Sequence, residues 1–200
     1  MANPEDMILK AKSGGEAALG PLLEVYRSYL RMLARIEIGR RLQGKVDASD
    51  LVQETFLEAH RHFPSFRGSD EPQFAYWLRQ ILAAKVANLV RQYLGTQARD
   101  VRLEQELNAG VDNSSRLLGA ELAAALASPS QHAARREQAV LLANALDRLP
   151  EDYREVIVLR HLEELPFPEI AQRMGRTKDS VEKLWLRALA RLRKAFGVEQ

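Results

Sequence analysis

Apolar residues recur at three- and four-residue steps over most of this chain, which is the period of helices with one buried face. Leu19, Leu22, Leu23, Tyr26, Leu30, Leu33 and Ile36 share one side of a predicted helix over 16–39. A shorter helix over 6–12 precedes it and is broken by Gly14-Gly15. Val52, Phe56, Ala59 and Phe63 line the next helix, which Pro64 ends. Asp47, with Asp50 three residues on, resembles a capping arrangement at its start. After a polar loop from Phe66 to Pro72, the stretch QFAYWLRQILAAKVANLVRQYL predicts a long helix dense in aromatic residues. From 95 to 139 the pattern loosens into Gly, Asn and Ser clusters, with one short helix expected at 117–126.

Patterning returns with a helix over 140–149, closed by Pro150, and another over 151–161 that buries Tyr153, Val156, Ile157 and Leu159. The last motif opens at Pro168, a residue suited to a first helical turn because its missing N–H would be unpaired there. Ile170, Ala171 and Met174 form its apolar stripe, and Gly175 stands where a chain leaving a helix often needs positive φ. Thr177 or Asp179 caps the final helix. That helix carries Val181, Leu184, Trp185, Ala188, Leu189, Leu192 and Phe196 on one side, with Lys178, Lys183, Arg187, Arg191 and Lys194 on or near the other. A helix, a glycine turn and a basic helix make a candidate helix-turn-helix, whose second helix enters a DNA major groove. The expected fold is all-α: two small helical domains, 1–95 and 140–200, joined by a long flexible linker, 96–139.

Composition narrows the classes. The apolar share of 46% is that of a globular protein. There is no cysteine, which excludes disulfides and cysteine-based metal or redox sites. Positive and negative groups nearly cancel, at 29 against 27, so local patches matter more than the total. The start of the chain lacks a secretory signal pattern, and no apolar run reaches the roughly twenty residues of a spanning helix. No membrane insertion and a cytoplasmic location are expected. No phosphate-binding glycine loop or nucleophile motif is present. His60 and His62, two apart on a helix, point in different directions and make poor joint metal ligands, while His132 and His161 are isolated. No enzyme activity, cofactor or metal is expected.

Two further surfaces call for partners. Asp50, Gln53, Glu54, Leu57, Glu58 and Arg61 line the second side of the 48–63 helix, an acidic face with one exposed leucine. It is either plain solvation or a dock for a basic partner helix. Arg79, Lys85 and Arg91, interleaved with Phe74, Tyr76, Trp77 and Tyr93, suit single-stranded DNA, since bases stack on rings while cations follow phosphates. Trp77 reads better as core; Phe74 and Tyr76, beside the loop, read as exposed contacts.

Together these pieces resemble an RNA polymerase sigma factor of the sigma-70 family, in its extracytoplasmic-function group. Asp50-Leu51-Val52-Gln53-Glu54-Thr55-Phe56, Phe66-Arg67-Gly68, Phe74 and Trp77-Leu78-Arg79 carry the likeness to the family's region 2. Ala145-Leu146, Leu149-Pro150-Glu151, Arg154-Glu155-Val156, Glu169-Ile170-Ala171 and Val181 carry the likeness to its region 4. The resemblance implies that Asp50, Gln53 and Glu54 dock on the β′ subunit of core RNA polymerase, with the β subunit also a partner. It implies that the Phe66–Gln73 loop captures a base flipped from the −10 element. Phe66, Arg67, Phe74, Tyr76, Arg79, Lys85 and Arg91 then meet the single strand. Arg176, Thr177, Lys178, Ser180, Glu182, Lys183, Arg187 and Arg191 read the −35 element of promoter DNA. The resemblance also allows an anti-sigma factor covering these same surfaces.

Departures are visible. Ala84 and Asn88 stand where relatives commonly carry Asn and Asp, and Ser180-Val181-Glu182-Lys183-Leu184 replaces a common Thr-Val-Lys-Ser-Arg. Glu182 either accepts from a cytosine amine or pairs with Arg187 or another surface cation. The competing reading is a helix-turn-helix regulator with an N-terminal helical sensor domain, binding duplex DNA without joining a polymerase.

Overall fold

The structure, a computed structural model, describes residues 4–14, 16–42, 46–94, 101–118 and 137–196. Among them are helices α1 (Pro4–Gly14), α2 (Glu16–Val25), α3 (Arg27–Leu42), α4 (Ala48–His62), α5 (Glu71–Leu94), α6 (Val101–Leu117), α7 (Glu137–Asp147), α8 (Glu151–Ile157), α9 (Phe167–Arg173) and α10 (Lys178–Phe196). The described residues contain no strand. The chain divides into two compact units, residues 1–113 and 114–200.

Unit 1 is built on α3, α4 and α5, with the α1–α2 hairpin beside them. Along α5, Phe74, Leu78, Leu82, Val86 and Val90 fall at four-residue steps and are all buried, forming one continuous ridge. It meets Leu30, Leu33 and Ile36 of α3 and Leu51, Val52 and Ala59 of α4 in a shared core. The helix expected over 16–39 is two helices: Tyr26 turns the chain, its N–H bonding Leu23 O at 3.0 Å, and Pro21 inside α2 has no N–H to give the ladder. Asp47 caps α4, as its place in the sequence suggested, by accepting from Ser49 N at 2.8 Å. That backbone bond is the main cause holding the Asp47 carboxyl below its ordinary pKa.

The expectation of a linker from 96 onward needs correcting. Val101–Leu117 is helix α6, with Leu107 and Val111 fully buried. Two of its carboxylates bind cations of α5: Asp112 Oδ1 lies 2.6 Å from Arg79 Nε, and Glu104 Oε1 lies 3.0 Å from Arg91 Nη1. Gly110 lets α6 approach α3, since a Cβ there would stand 3.1 Å from each Glu37 carboxylate oxygen. Of the helix expected at 117–126, residues beyond Leu118 lie outside the described part, as does His132.

In unit 2, α10 packs across α7, α8 and α9. Val181, Ala188 and Leu192 are fully buried, and Leu184 and Leu189 nearly so. The burial of Phe196 is outside the described part. A π turn, Val158–Leu162, continues α8 and brings His161 to Trp185. Trp185 Nε1–H donates to His161 Nε2 at 3.1 Å, so this imidazole is an acceptor there and has a packing role. Burial, and secondly Arg160, pushes the His161 pKa down, which favours the neutral form that accepts.

Candidate polymerase and nucleic-acid interfaces

The helix-turn-helix is local chemistry made visible. Gly175 has φ +61°, Gly175 N–H bonds Gln172 O at 3.3 Å, and Arg176 N–H bonds Ala171 O at 2.9 Å. That pair of bonds is a Schellman end to α9. Thr177 Oγ1 then accepts from Ser180 N at 3.3 Å, so Thr177, and not Asp179, caps α10. Asp179 instead accepts from Lys183 Nζ at 2.8 Å. Leu184, one of the departures from the family pattern, is core, so its identity answers to packing against α8 and α9.

The outer face of α10 is wet and charged. Lys178, Lys183, Arg187 and Arg191 are exposed. Glu182 pairs with Lys178 at 3.5 Å and not with Arg187. Arg187 has no charged or hydrogen-bonding partner among the described residues. Arg191 lies 6.0 Å over the Tyr153 ring, and Arg176 meets Asp152 at 2.5 Å. The exposed i,i+4 pairs Lys178–Glu182 and Lys183–Asp179 are worth a few tenths of a kcal/mol each, so a phosphate can displace Glu182 or Asp179 at small cost.

On α4, Asp50, Gln53 and Glu54 are exposed, and Leu57 beside them is 60% exposed. No side-chain bond ties those three polar residues to any other described residue. Ala48, Leu51, Val52 and Thr55 on the opposite side of the helix are buried, so the face is presented rigidly.

The predicted strand-binding residues separate into three groups. Phe66 and Phe74 are buried, which corrects the expectation that Phe74 is an exposed contact. Their rings join Phe63 and Trp77 in one aromatic cluster, with Phe66 4.9 Å from Trp77 and 5.5 Å from Phe74. Tyr76 is exposed, as expected, and so is Arg67. Arg79, Lys85 and Arg91 are already engaged: Arg79 with Asp112 and Tyr29 OH, Lys85 Nζ with Glu58 Oε2 at 2.8 Å, and Arg91 with Glu104 and Asn88. Lys85, and after it His62, holds the Glu58 carboxyl below its ordinary pKa. Ala84 and Asn88 are exposed between these cations.

The loop before α5 is more ordered than its polarity suggested. Asp70 Oδ1 accepts from Gln73 N at 2.8 Å, and Gln73 Oε1 accepts from Ser69 N at 3.0 Å. Asp70 thus caps α5, and Gln73 reaches back one residue beyond the cap, a relative of the capping box whose sequence signal was Asp70-x-x-Gln73. Gly68 folds tightly over the Phe66 ring, where a Cβ would collide with the ring and stand 2.9 Å from Gln73 Cβ.

These two surfaces coincide with two family matches. Residues 25–97 match the family described as sigma-70 region 2, and residues 139–192 match sigma-70, region 4. The ECF RNA polymerase sigma-E factor of Haemophilus influenzae is 29% identical over 168 residues, spanning 84% of this chain and 82% of that one. The RNA polymerase sigma factor CnrH of Cupriavidus metallidurans is 31% identical over 198 residues, spanning 95% of this chain and 94% of that one. The chain belongs to the sigma-70 family, in its extracytoplasmic-function group. A solved structure of CnrH in complex with the cytosolic domain of CnrY covers 98% of this chain and 99% of that one, at 26% identity and a TM-score of 0.37. As a sigma factor the protein binds core RNA polymerase and promoter DNA and directs transcription initiation. Sigma factors are initiation factors and not themselves catalysts. A regulator with a sensor domain before its helix-turn-helix leaves the region 2 match unexplained. Among the described residues no helix is long and apolar enough to cross a membrane.

Proposed function

We propose that this sigma factor divides promoter recognition between its two ends, with 1–95 docking on polymerase and opening the −10 element, and 140–200 reading the −35 element. The exposed Asp50–Gln53–Glu54 face of α4, whose side chains bond to no other described residue, is the observation that carries this reading. An acidic and amide surface with Leu57 at its centre suits a basic helical pair on the β′ subunit, where charge complementarity speeds encounter and fixes orientation. Arg67 and Tyr76 flank the loop that receives a flipped base, while Phe66 and Phe74 hold that loop from beneath. Arg79, Lys85 and Arg91 serve the strand only by exchanging a carboxylate for a phosphate.

On α10, Arg187 is the cation readiest to meet a phosphate, and Lys178 and Lys183 follow by releasing their weak intrahelical partners. Glu182 accepts from a cytosine amine once Lys178 turns to the backbone. The chain has no active site of its own, works in the cytoplasm beside the polymerase, and is open to an anti-sigma factor that covers the α4 face or α10. Pull-down of purified core polymerase by the Asp50→Lys/Glu54→Lys variant tests the docking assignment. Capture should be lost; capture equal to wild type would overturn it.

A further inference from the structure

Of the three cations on α5, Lys85 is held most simply. Arg79 has both Asp112 and the Tyr29 hydroxyl, and Arg91 has both Glu104 and Asn88. Lys85 has one charged partner among the described residues, Glu58, whose Oε2 accepts from Nζ at 2.8 Å. The origin of that carboxylate also differs. Asp112 and Glu104 come from α6, whereas Glu58 comes from α4, the helix that carries the Asp50–Gln53–Glu54 face.

Asp50, Glu54 and Glu58 follow one another at steps of four, so they form one stripe along α4 with Leu57 beside it. Asp50 and Glu54 are exposed. Glu58 ends the stripe where α4 meets α5, with its side chain 27% exposed. Its two oxygens are shared. Oε1 meets His62 Nε2 at 2.8 Å, and Oε2 has Arg61 at 3.7 Å as well as Lys85. His62 and Arg61 belong to α4 itself, so Lys85 is the one cation that Glu58 takes from another helix. A partly exposed carboxylate at the edge of a docking face is within reach of a cation on the covering surface, and Lys85 then loses its counter-charge. Ala84 and Asn88 beside Lys85 are exposed, so its ammonium, on a flexible stem, has open surface to turn to.

We infer that Glu58 is a handover point: a cation of the polymerase surface that covers α4 takes its Oε2, and the Lys85 so released goes to a phosphate of the single strand. The inference rests on the proposed docking and strand-binding roles and adds the link between them. Two sites joined through one exchanged carboxylate favour each other reciprocally, so docking strengthens strand binding and strand binding strengthens docking by the same factor.

Titration of the labelled full chain with purified core polymerase tests the link from the protein side. Lys85→Ala leaves Glu58 without its competing cation and should tighten core binding by about threefold, the worth of one partly exposed pair. Lys85→Arg keeps the pair and should bind core like wild type. Lys10→Ala makes the same charge change at an exposed residue of α1 and should do nothing. On the nucleic-acid side, the free chain is titrated with a labelled single-stranded oligonucleotide. Glu58→Gln should tighten that binding by about threefold, and the gain should vanish in Glu58→Gln/Lys85→Ala. Glu54→Gln, the same charge change one turn away, should give no such gain. The inference is overturned by a Lys85→Ala chain that binds core no better than wild type, by no gain from Glu58→Gln, by equal gains from the Lys10 or Glu54 controls, or by a Glu58→Gln gain that survives without Lys85. Asp50→Lys/Glu54→Lys in the core titration separates this from failure of the docking reading. Full core binding by that variant removes the docking reading and the handover with it. Lost binding there, with Lys85→Ala like wild type, removes the handover alone.

Discussion

The cations of α5 and those of α10 look alike in sequence, yet they find their counter-charges in different places. Arg79, Lys85 and Arg91 are matched by Asp112, Glu58 and Glu104, which lie on α6 and α4. Each pair ties one helix of unit 1 to another. Lys178 and Lys183 are matched by Glu182 and Asp179 of their own helix, and Arg187 by nothing described. A cross-helix pair with Arg79 only 17% exposed is part of the packing, whereas a pair within one exposed helix face is a placeholder. Basic residues on an amphipathic helix therefore announce a nucleic-acid surface only once the origin of their carboxylates is known.

Four measurements probe how the side chains of the two units are held. Phe74→Ala should be the most damaging, because the residue is core and no longer a strand contact: a loss of about 3–5 kcal/mol in urea unfolding of unit 1. A loss under about 1 kcal/mol would return Phe74 to the surface. Arg79→Ala should cost about 1–2 kcal/mol in the same measurement, by removing its bonds to Asp112 and to the Tyr29 hydroxyl. Unchanged stability with weaker oligonucleotide binding would make Arg79 a contact residue after all.

The third concerns unit 2 and pH. His161 has its pKa lowered by burial and by Arg160, so the unfolded chain takes up a proton that the folded chain refuses. Stability contributed this way is present above the ordinary His value of 6.5 and declines as pH falls below it. Thermal unfolding between about pH 7.5 and about pH 5.5 should show the decline, and His161→Gln should flatten it. An unaltered slope would remove His161 as its source. Lys183→Ala should have the smallest effect on folding, below about 0.5 kcal/mol, since only an exposed pair with Asp179 is lost. A larger loss would mean that the pairs of α10 are structural, like those of α5.

What could be read from the sequence tracks how local the cause is. Gly175, Thr177 and Pro168 act within a few residues of themselves, and the turn they specify is present as expected. The α4 face was legible because helical spacing alone separates Asp50, Gln53 and Glu54 from Val52 and Phe56. Phe74 was misplaced because an aromatic residue beside a polar loop looks the same whether it faces in or out. The run of buried residues from Phe74 to Val90 at steps of four held the better signal. Helix α6 was hidden by Asn108, Gly110 and Asn113, which read as loop residues. Gly110 is there for the Glu37 carboxylate, which comes from a helix far away in sequence. The pairing of Arg79 with Asp112, across the presumed linker, was out of reach for the same reason.

Transcription in vitro with purified core polymerase and a promoter fragment tests the account most directly. The wild-type chain should convert core into an enzyme that initiates at that promoter, and Asp50→Lys/Glu54→Lys should not, although each unit still folds. Failure of the wild-type chain to support initiation at any promoter of its own genome, or full activity of the double variant, would contradict the account.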